Sequence, residues 1–315
     1  MRIKFGRPNL ERYADAFDVP PATGAFGATF LGVATLLFDD GQSALMTDGF
    51  FSRPSLAQVL LGRLVPDQPR IAQALDRAGV DRLDAVLPVH THYDHALDSA
   101  VVADRTGATL VGGMSTAFVG SGHGLAAERI HRVTPGRPLR FGTFEVTHVP
   151  SAHCPPDRYP GSITEPVVPP TRTSSYRCGE AWSILVTHDS GRTALVQGSA
   201  GFKEGSLKGR RADVAYLGVG QLGVQGRDYI RNYWQETVRA VGARRVVLTH
   251  WDDFFRPLAK PLRALPYLGD DLDVTMQVLT ELADGDDVTL HLPTLWQRED
   301  PWVDLPAPLE PTRDG

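Results

Sequence analysis

A dense group of metal-binding side chains constrains this chain most: residues 90–95 read HTHYDH directly after the apolar segment LDAVLPV. That segment is typical of a strand buried on both faces. Side chains two apart on an extended chain point the same way, so His90 and His92 can bind one cation together. Asp94 and His95 follow where the chain turns toward a helix, and they can serve a second position. Imidazole nitrogen and carboxylate oxygen are ligands that zinc, manganese and iron accept.

The alternative for this segment is a polar, solvated loop that happens to be rich in histidine. A chance cluster would not usually follow a buried strand so closely, and a motif counts only in its proper structural context. We therefore expect a centre for one or two divalent metal ions. Zinc is the first expectation, with manganese and iron as alternatives.

Apolar periodicity predicts an α/β chain. Early strands are joined by hairpins, later strands alternate with helices, and polar clusters follow strand ends, where α/β sheets place their sites. Two mixed sheets with helices on their outer faces fit this order. Predicted strands are 27–31, 34–39, 43–48, 83–89, 109–112, two within 138–149, 182–188, 192–198, 244–250 and 287–292. Predicted helices are 66–78, 97–106, 226–241 and 271–283.

Two irregular segments interrupt this order within what we interpret as a single domain over residues 1–315. Residues 154–180 hold six prolines and no periodicity, and long loops of this kind are usually functional covers or disordered. The loop is a candidate lid for substrate selection, with Arg158, Tyr159, Arg172 and Tyr176, and Arg158 and Tyr159 are candidates for substrate contact. A surface insertion with no contact to ligand is the alternative, and both stay open. The proline-rich, acidic tail from about 293 is expected on the surface.

Composition limits the class of function. Hydrophobic residues make up 42% of the chain and charged residues 22%, which is typical of a globular protein. A formal net charge of -5 disfavours a general nucleic-acid binder, which needs a basic surface. The N-terminal segment has no apolar stretch of signal-peptide type, and the apolar run 24–38 is too short to span a bilayer. A cytoplasmic protein without a membrane span is the expectation, and reduced thiols at Cys154 and Cys178 are favoured over one disulfide.

HTHYDH resembles the HxHxDH signature of the metallo-β-lactamase superfamily, and the similarity extends over most of the chain. The resemblance implies a four-layer αββα fold with two mixed β-sheets sandwiched between helices. It also implies that the first two histidines and a later one bind one metal, and that the final Asp and His of the motif bind the other with a last histidine. A further Asp bridges both ions in that family.

Carried onto this sequence, the third ligand of the first metal is expected to be His153, within VPSAHCP. His148 is its competitor, but it alternates in phase with the apolar residues of its strand, which favours a core or supporting position. His250, at the end of RRVVLTH, matches the last histidine of the family. Asp48, at the end of ALMTD, matches an aspartate that supports the site by orienting a ligand, although it could simply begin a turn.

The sequence departs from the family at the bridging position. Where the bridging Asp is expected, the chain reads LVQGSAGF and places Ser199. A neutral hydroxyl is a weak ligand and brings no charge to offset two dications. The second ion should then bind less tightly, or not at all, unless another carboxylate replaces the missing one. Asp252 and Asp253 are the nearest candidates in sequence, and a solvated acidic loop is their alternative.

The favoured function is a metal-dependent hydrolase acting on an ester, lactone, amide or phosphodiester bond of a small molecule. A bound metal lowers the pKa of water to roughly 7, and Asp94 would orient that water or bind the second ion. TFLGVATLLF and LMTDGFF resemble the subgroup of ascorbate-6-phosphate lactonase and N-acyl-phosphatidylethanolamine phospholipase D. Tyr93 and Trp251 join the candidates for substrate contact, and Tyr93 also for protonating the leaving group.

Two other functions remain open at this stage. Members of the family that cut nucleic acid usually carry an added domain or a flexible arm, and the sequence displays neither. A non-hydrolytic metal-binding member is the other alternative, and Ser199 keeps it open. The helix 226–241 carries three large aromatic residues that could pack on a sheet or on a second subunit, so an oligomer is compatible with the sequence.

Overall fold

Two seven-stranded sheets dominate the computed structural model, which describes residues 4–308. The N-terminal sheet has the order β14-β1-β2-β3-β4-β5-β6, with β3 to β6 parallel to one another and β14, β1, β2 and β3 antiparallel. Its strands are β1 Gly27–Phe30, β2 Leu36–Asp39, β3 Ala44–Thr47, β4 Ala85–Leu87, β5 Thr109–Gly112, β6 Ile130–Arg132 and β14 Arg298–Glu299.

The C-terminal sheet is mixed in the same way. Its order is β13-β12-β11-β10-β9-β8-β7, with antiparallel pairing from β7 to β10 and parallel pairing from β10 to β13. Its strands are β7 Pro138–Phe141, β8 Phe144–Pro150, β9 Trp182–His188, β10 Thr193–Gln197, β11 Val214–Gly218, β12 Arg245–Thr249 and β13 Thr289–His291.

Seven α-helices accompany the sheets in the described part of the chain. The second helix has both local capping signals: the Asp67 side chain accepts from the Arg70 amide at its start, and Gly79 ends it in the left-handed region. The helices are α1 Leu56–Leu61, α2 Gln68–Ala78, α3 Tyr93–Ala96, α4 Ser99–Thr106, α5 Met114–Gly122, α6 Arg227–Trp234 and α7 Leu272–Asp286, with one π-turn, Gln235–Arg239, directly after α6.

The two sheets face each other across the main apolar core. Alternation along the strands sends one set of side chains inward, as where Phe38 of β2 meets Tyr216 of β11 edge-on, with ring centroids 5.7 Å apart. The opposite set, including Val86 of β4, packs outward with Ile71 of α2 and Val102 of α4. α6 and α7 pack against each other, and α7 packs on β13. The predicted fold class, two mixed sheets between helices, is confirmed.

Strand direction brings the ends of several strands to one edge. β8 runs parallel to β10 because both are antiparallel to β9, and β10, β11 and β12 are parallel. Consequently the segments that follow these strands leave the C-terminal sheet on the same side. The residues that follow strand ends here are Asp48 after β3, His90 after β4, His153 after β8, Ser199 after β10 and His250 after β12.

The C-terminal tail differs from the expectation of a surface segment. Arg298 and Glu299 pair with β1 and extend the N-terminal sheet, and Trp302 stacks on Phe26 with ring centroids 3.9 Å apart. A two-residue strand carries too little periodicity to be recognised in a sequence. The last part of the predicted tail, 309–315, lies outside the described residues.

The sequence also missed short elements. α1 is held by a capping box in which Ser55 and Gln58 bond each other's backbone, although its residues are mostly exposed and carry no strong periodicity. α5, with the sequence MSTAFVGSG, has small residues where apolar ones would mark a helical face. α1 therefore depends on its capping box, and α5 on the packing of its buried small residues, more than on an amphipathic pattern.

Two further expectations concern thiols and membranes. Cys154 and Cys178 are buried and form no disulfide. Within residues 4–308, none of the helices combines the length and the apolar composition needed to cross a membrane.

His148 lies in the core of β8 with 1% of its surface exposed. Its ring packs edge-on against Trp182, with centroids 5.7 Å apart, and neither ring nitrogen has a hydrogen-bond partner among the described residues. Burial lowers the pKa of His148 to about 3. The residue is therefore a neutral core histidine, the interpretation that the strand periodicity favoured.

This burial predicts a pH-dependent stability. An unfolded histidine titrates near 6.5, so the unfolded state binds the extra proton first and the free energy of unfolding falls as the pH drops from about 6.5 toward 3. His148→Phe should lose less stability than the wild type over that window, measured by urea unfolding at several pH values. His131→Gln, at an exposed histidine, is the matched control and should follow the wild type. Parallel curves for wild type and His148→Phe would contradict the assignment.

Candidate metal centre

The first donor group consists of three histidines from two loops. His90 and His92 come from the HTHYDH segment and His153 from the loop after β8, and one ligand atom from each lies within 4.8 Å of the others. His90 Nε2 is 3.1 Å from His92 Nδ1, and the ring of His153 lies 4.9 Å and 4.6 Å from those of His90 and His92. His153 Nδ1 donates to the carbonyl of Cys154 at 2.6 Å, which leaves its Nε2 lone pair free.

The second donor group consists of Asp94, His95 and His250. His250 Nε2 lies 3.3 Å from His95 Nε2 and 3.4 Å from Asp94 Oδ2. His95 Nδ1 donates to Asp48 Oδ2 at 2.7 Å, and the other oxygen of Asp48 accepts from the Val89 amide at 2.9 Å. This contact leaves Nε2 of His95 facing the group and places Asp48 where a residue that orients a ligating histidine would lie.

The two groups adjoin each other, because the rings of His90 and His95 lie only 3.9 Å apart. His92 precedes α3 in extended conformation and the helix starts at Tyr93, so the chain turns between the histidine pair and Asp94-His95. Gly220 lies behind the second group, where a Cβ would come within 2.7 Å of His250 Nδ1. The donor set, five imidazoles and one carboxylate in two adjacent groups, fits one or two divalent ions of the zinc, manganese or iron type.

Burial sets the charge of these donors. Burial, and then the neighbouring imidazoles, lowers the pKa of His90 well below its ordinary value, and burial followed by His92 lowers the pKa of His153 to about 4. Burial alone would raise the pKa of Asp94, but His95 and His250 outweigh it and hold the pKa well below the usual range. At neutral pH His90 and His153 therefore offer neutral imidazole lone pairs, and Asp94 offers an ionised carboxylate. Burial alone would lower the pKa of His95, but Asp48 and Asp94 outweigh it and raise that pKa above its ordinary value.

Ser199 does not belong to either donor group. Its hydroxyl accepts from the Cys154 amide at 2.9 Å, and its carbonyl accepts from the Tyr233 hydroxyl at 3.3 Å. It thus ties the loop after β10 to the loop that carries His153. Over residues 4–308, no carboxylate is shared by the two donor groups.

Neither alternative left open for Asp252 and Asp253, a replacement for the bridging carboxylate or a solvated acidic loop, describes their position, because both are buried and belong to neither donor group. Asp252 lies 2.7 Å from Arg53 in an ion pair with no exposed side-chain surface. Asp253 pairs with Arg7 at 3.0 Å and with Arg263 at 2.9 Å. Both carboxylates are neutralised by arginines, because the chain after His250 turns back into the protein instead of continuing as a solvated loop.

Two aromatic candidates for substrate contact lie within packed clusters. Trp251 is 2% exposed and packs edge-on against Phe17, with ring centroids 5.8 Å apart. Tyr93 is buried and packs against Phe50 at 6.1 Å, and burial raises its pKa well above the ordinary value. Their burial disfavours Trp251 as a substrate contact and Tyr93 as an acid for the leaving group. His148, in the core, belongs to no donor group in the described structure.

The irregular loop 154–180 packs directly on the HTHYDH segment. The Thr91 amide donates to the Cys178 carbonyl at 2.9 Å, and its hydroxyl donates to the Arg177 carbonyl at 2.6 Å. Buried apolar residues anchor the loop to the cluster around α3 and α5; they are Ile163, Val167 and Tyr176. Arg158 is exposed and Tyr159 is half-buried, beside Asp157.

Asp157 is a site residue that the sequence analysis missed. Its Oδ1 lies 3.1 Å from His92 Nε2, on the side of the ring away from His90, and it accepts from the Tyr159 amide at 3.0 Å. The Cys178 sulfur lies within 4.8 Å of this carboxylate and of His92, so these three residues form a further group of potential ligands. Among the described residues His92 Nε2 forms no hydrogen bond of good geometry, so the attraction to Asp157 is electrostatic; carboxylates placed behind ligating histidines orient the ring. No periodicity or spacing within the loop marks this aspartate as different from its neighbours.

This contact predicts that the loop contributes to metal affinity. Asp157→Ala should weaken metal binding about 10- to 100-fold, the usual cost of removing such a partner. Competition with a chromophoric chelator measures the dissociation constant. Glu165→Gln, at an exposed carboxylate of the same loop, is the control and should bind as the wild type does. Equal affinities for all three proteins would show that Asp157 does not orient His92.

Comparison with known proteins agrees with this geometry. The family described as the beta-lactamase superfamily domain matches residues 46–251, which contain all six donors. A metal-dependent hydrolase of Heliobacterium modesticaldum is 25% identical over 280 residues, covering 84% of this chain and 97% of that protein. One from Methanopyrus kandleri is 33% identical over 95 residues, or 30% of this chain and 39% of that protein.

A solved structure shares the fold. It is a metallo hydrolase from Ignicoccus hospitalis, with a TM-score of 0.51 and 17% identity over 86% of this chain and 96% of that one. At this identity the likeness concerns the fold alone. The family match spans well over half of the chain, and it starts within β3 and ends just after His250. The chain therefore belongs to the beta-lactamase superfamily and is a metal-dependent hydrolase of the metallo-β-lactamase fold.

Proposed function

We propose that the chain binds one or two divalent ions between its two donor groups and hydrolyses an ester, lactone, amide or phosphodiester bond of a small molecule. The observation that supports this most is the adjacency of the groups: the rings of His90 and His95 lie 3.9 Å apart, and burial lowers the pKa of His90 and His153 in the first group. Zinc is the first candidate, because structural and catalytic zinc sites use nitrogen and oxygen donors of this kind. Manganese and iron accept the same donors.

The chain's own residues divide the chemistry between them. When bound, a divalent ion supplies Lewis acidity, which polarises a carbonyl or phosphoryl oxygen and lowers the pKa of water. Asp94, held ionised beside His95 and His250, can accept a hydrogen bond from the attacking water and orient it. Asp48 accepts a hydrogen bond from His95 Nδ1, so Nε2 is the nitrogen of His95 that can bind metal. His90, His92 and His153, the first donor group, would bind metal on the other side of the centre.

The position of the loop 154–180 beside the donor groups favours a small substrate over a polymer. The loop 154–180 is anchored to the HTHYDH segment by Thr91 and by buried apolar residues, so it narrows access to the donors. Arg158 and Tyr159 are the polar loop side chains nearest to Asp157 in sequence, and we assign them to substrate contact. The net charge of -5 gives no general attraction for a polyanion.

The experiment is metal analysis combined with a substrate panel. Purified protein loaded with zinc, manganese or iron should retain one or two equivalents and hydrolyse at least one class among esters, lactones, amides and phosphodiesters. His90→Ala/His92→Ala should remain folded by circular dichroism but lose the metal of the first donor group and all hydrolysis. His131→Ala, at an exposed histidine outside both groups, is the control and should behave as the wild type does.

Each result discriminates between functions. Full metal content in the double variant would refute the ligand assignment. A metal-loaded wild type that is inert on the whole panel would favour a non-hydrolytic metal protein, consistent with Ser199 at the position of the usual bridging carboxylate. Activity confined to DNA or RNA would move the function to a nuclease.

A further inference from the structure

A completely buried ion pair lies behind the second donor group. Arg53 Nη2 is 2.7 Å from Asp252 Oδ2, and neither side chain has exposed surface. The other terminal nitrogen of Arg53 donates to the carbonyls of Arg256, at 3.2 Å, and Asp253, at 3.4 Å. Taking two charges out of water costs free energy, so a buried pair of this kind is weak evidence for a stabilising role. A role other than stability therefore has to be considered. Neither residue belongs to the donor groups.

Hydrogen bonds connect this pair to a ligand of the second group. The Val33 amide donates to Asp252 Oδ1 at 2.9 Å, and the Val33 carbonyl accepts from the His250 amide at 2.6 Å. The ion pair and Val33 therefore link three segments: the turn between β1 and β2, the segment after β3 and the segment after β12. These contacts hold the backbone around His250 at two points: the His250 amide bonds to Val33, and the Asp252 side chain, two residues later, bonds to Val33 and pairs with Arg53.

The backbone at these positions is strained. Val33, Arg53 and His250 have φ values of 54°, 42° and 59°, in the left-handed region that side chains with a Cβ rarely adopt. For a β-branched residue such as Val33 this is a genuine outlier. Gly32 has to be a glycine here, because a Cβ would overlap Arg53 Nη2. Strained residues persist only where the surroundings over-determine them, and they gather at functional sites.

From these contacts we infer that Arg53 and Asp252 are positioning residues for His250. The buried pair holds the segments that keep His250 in its left-handed conformation, with Nε2 directed at Asp94 and His95. It therefore controls the occupancy of the second donor group, while the first group, on other segments, is independent of it. The inference rests on the proposed metal centre and adds residues that touch neither metal nor substrate.

The test compares metal binding by the two groups. Arg53→Met/Asp252→Leu removes both charges together at similar volume, a change that buried pairs often tolerate. This variant should keep the metal of the first group and bind the metal of the second at least 10-fold more weakly, measured by chelator competition and elemental analysis. His250→Ala is the reference and should lose the same equivalent. Arg53→Lys keeps the charge but not the planar guanidinium, so its affinity for the second metal should lie between those of the wild type and the double variant.

A matched control lies in the same loop. Arg263→Gln breaks a more exposed ion pair, to Asp253, and should leave both equivalents unchanged. Unchanged binding by the second group in a folded double variant would overturn the inference. If the double variant fails to fold, Arg53→Lys alone decides between the same two results.

A metal-free measurement separates this inference from the proposed function. The imidazole NMR signals of His250, assigned by their loss in His250→Ala, should shift in Arg53→Lys and stay in place in Arg263→Gln. That shift would support the positioning role even if the wild type took up no metal. Absence of metal uptake would contradict the proposed function alone. Unshifted His250 signals in Arg53→Lys would refute the positioning role directly.

Discussion

The crowding of five imidazoles and one ionised carboxylate in a buried space is the constraint around which this structure is organised. Nitrogen atoms face each other at 3.1 Å and 3.3 Å, and burial keeps His90 and His153 neutral. Two neutral nitrogen lone pairs that face each other form no hydrogen bond. A cation bound between them gives each nitrogen a partner. Both sheets contribute, because parallel strands deliver their following loops to one edge.

Much of this arrangement could be predicted from the sequence. Buried strands such as LDAVLPV and RRVVLTH have clear apolar runs. A histidine follows the first and ends the second, so the sheets and the positions of His90 and His250 follow from one pattern. The spacing of His90 and His92 is a local property of extended chain and needs no tertiary information. His153 needed the resemblance to a family, since nothing local distinguishes it from a surface histidine. The structure places it beside the other two.

Other parts depend on long-range packing that a sequence does not display. Asp157 is one aspartate in a loop without periodicity, and only the folded chain places it behind His92. Asp252 looked like a spare carboxylate for the metal, but Arg53, 199 residues earlier in the chain, neutralises it. The strand Arg298–Glu299 is too short to leave a pattern, and its pairing with β1 follows from the position of the sheet edge.

The two donor groups are supported by different kinds of structure, and this has a consequence for how they respond to change. His92 depends on a carboxylate in a loop whose side chains are partly exposed, so opening of that loop would remove its partner. His250 depends on a buried ion pair and strained turns that have no room to move separately. A displacement of that loop would therefore perturb the first group and leave the contacts that hold His250 in place. Asymmetry of this kind, together with Ser199 in place of a shared carboxylate, makes the two positions unequal from the start.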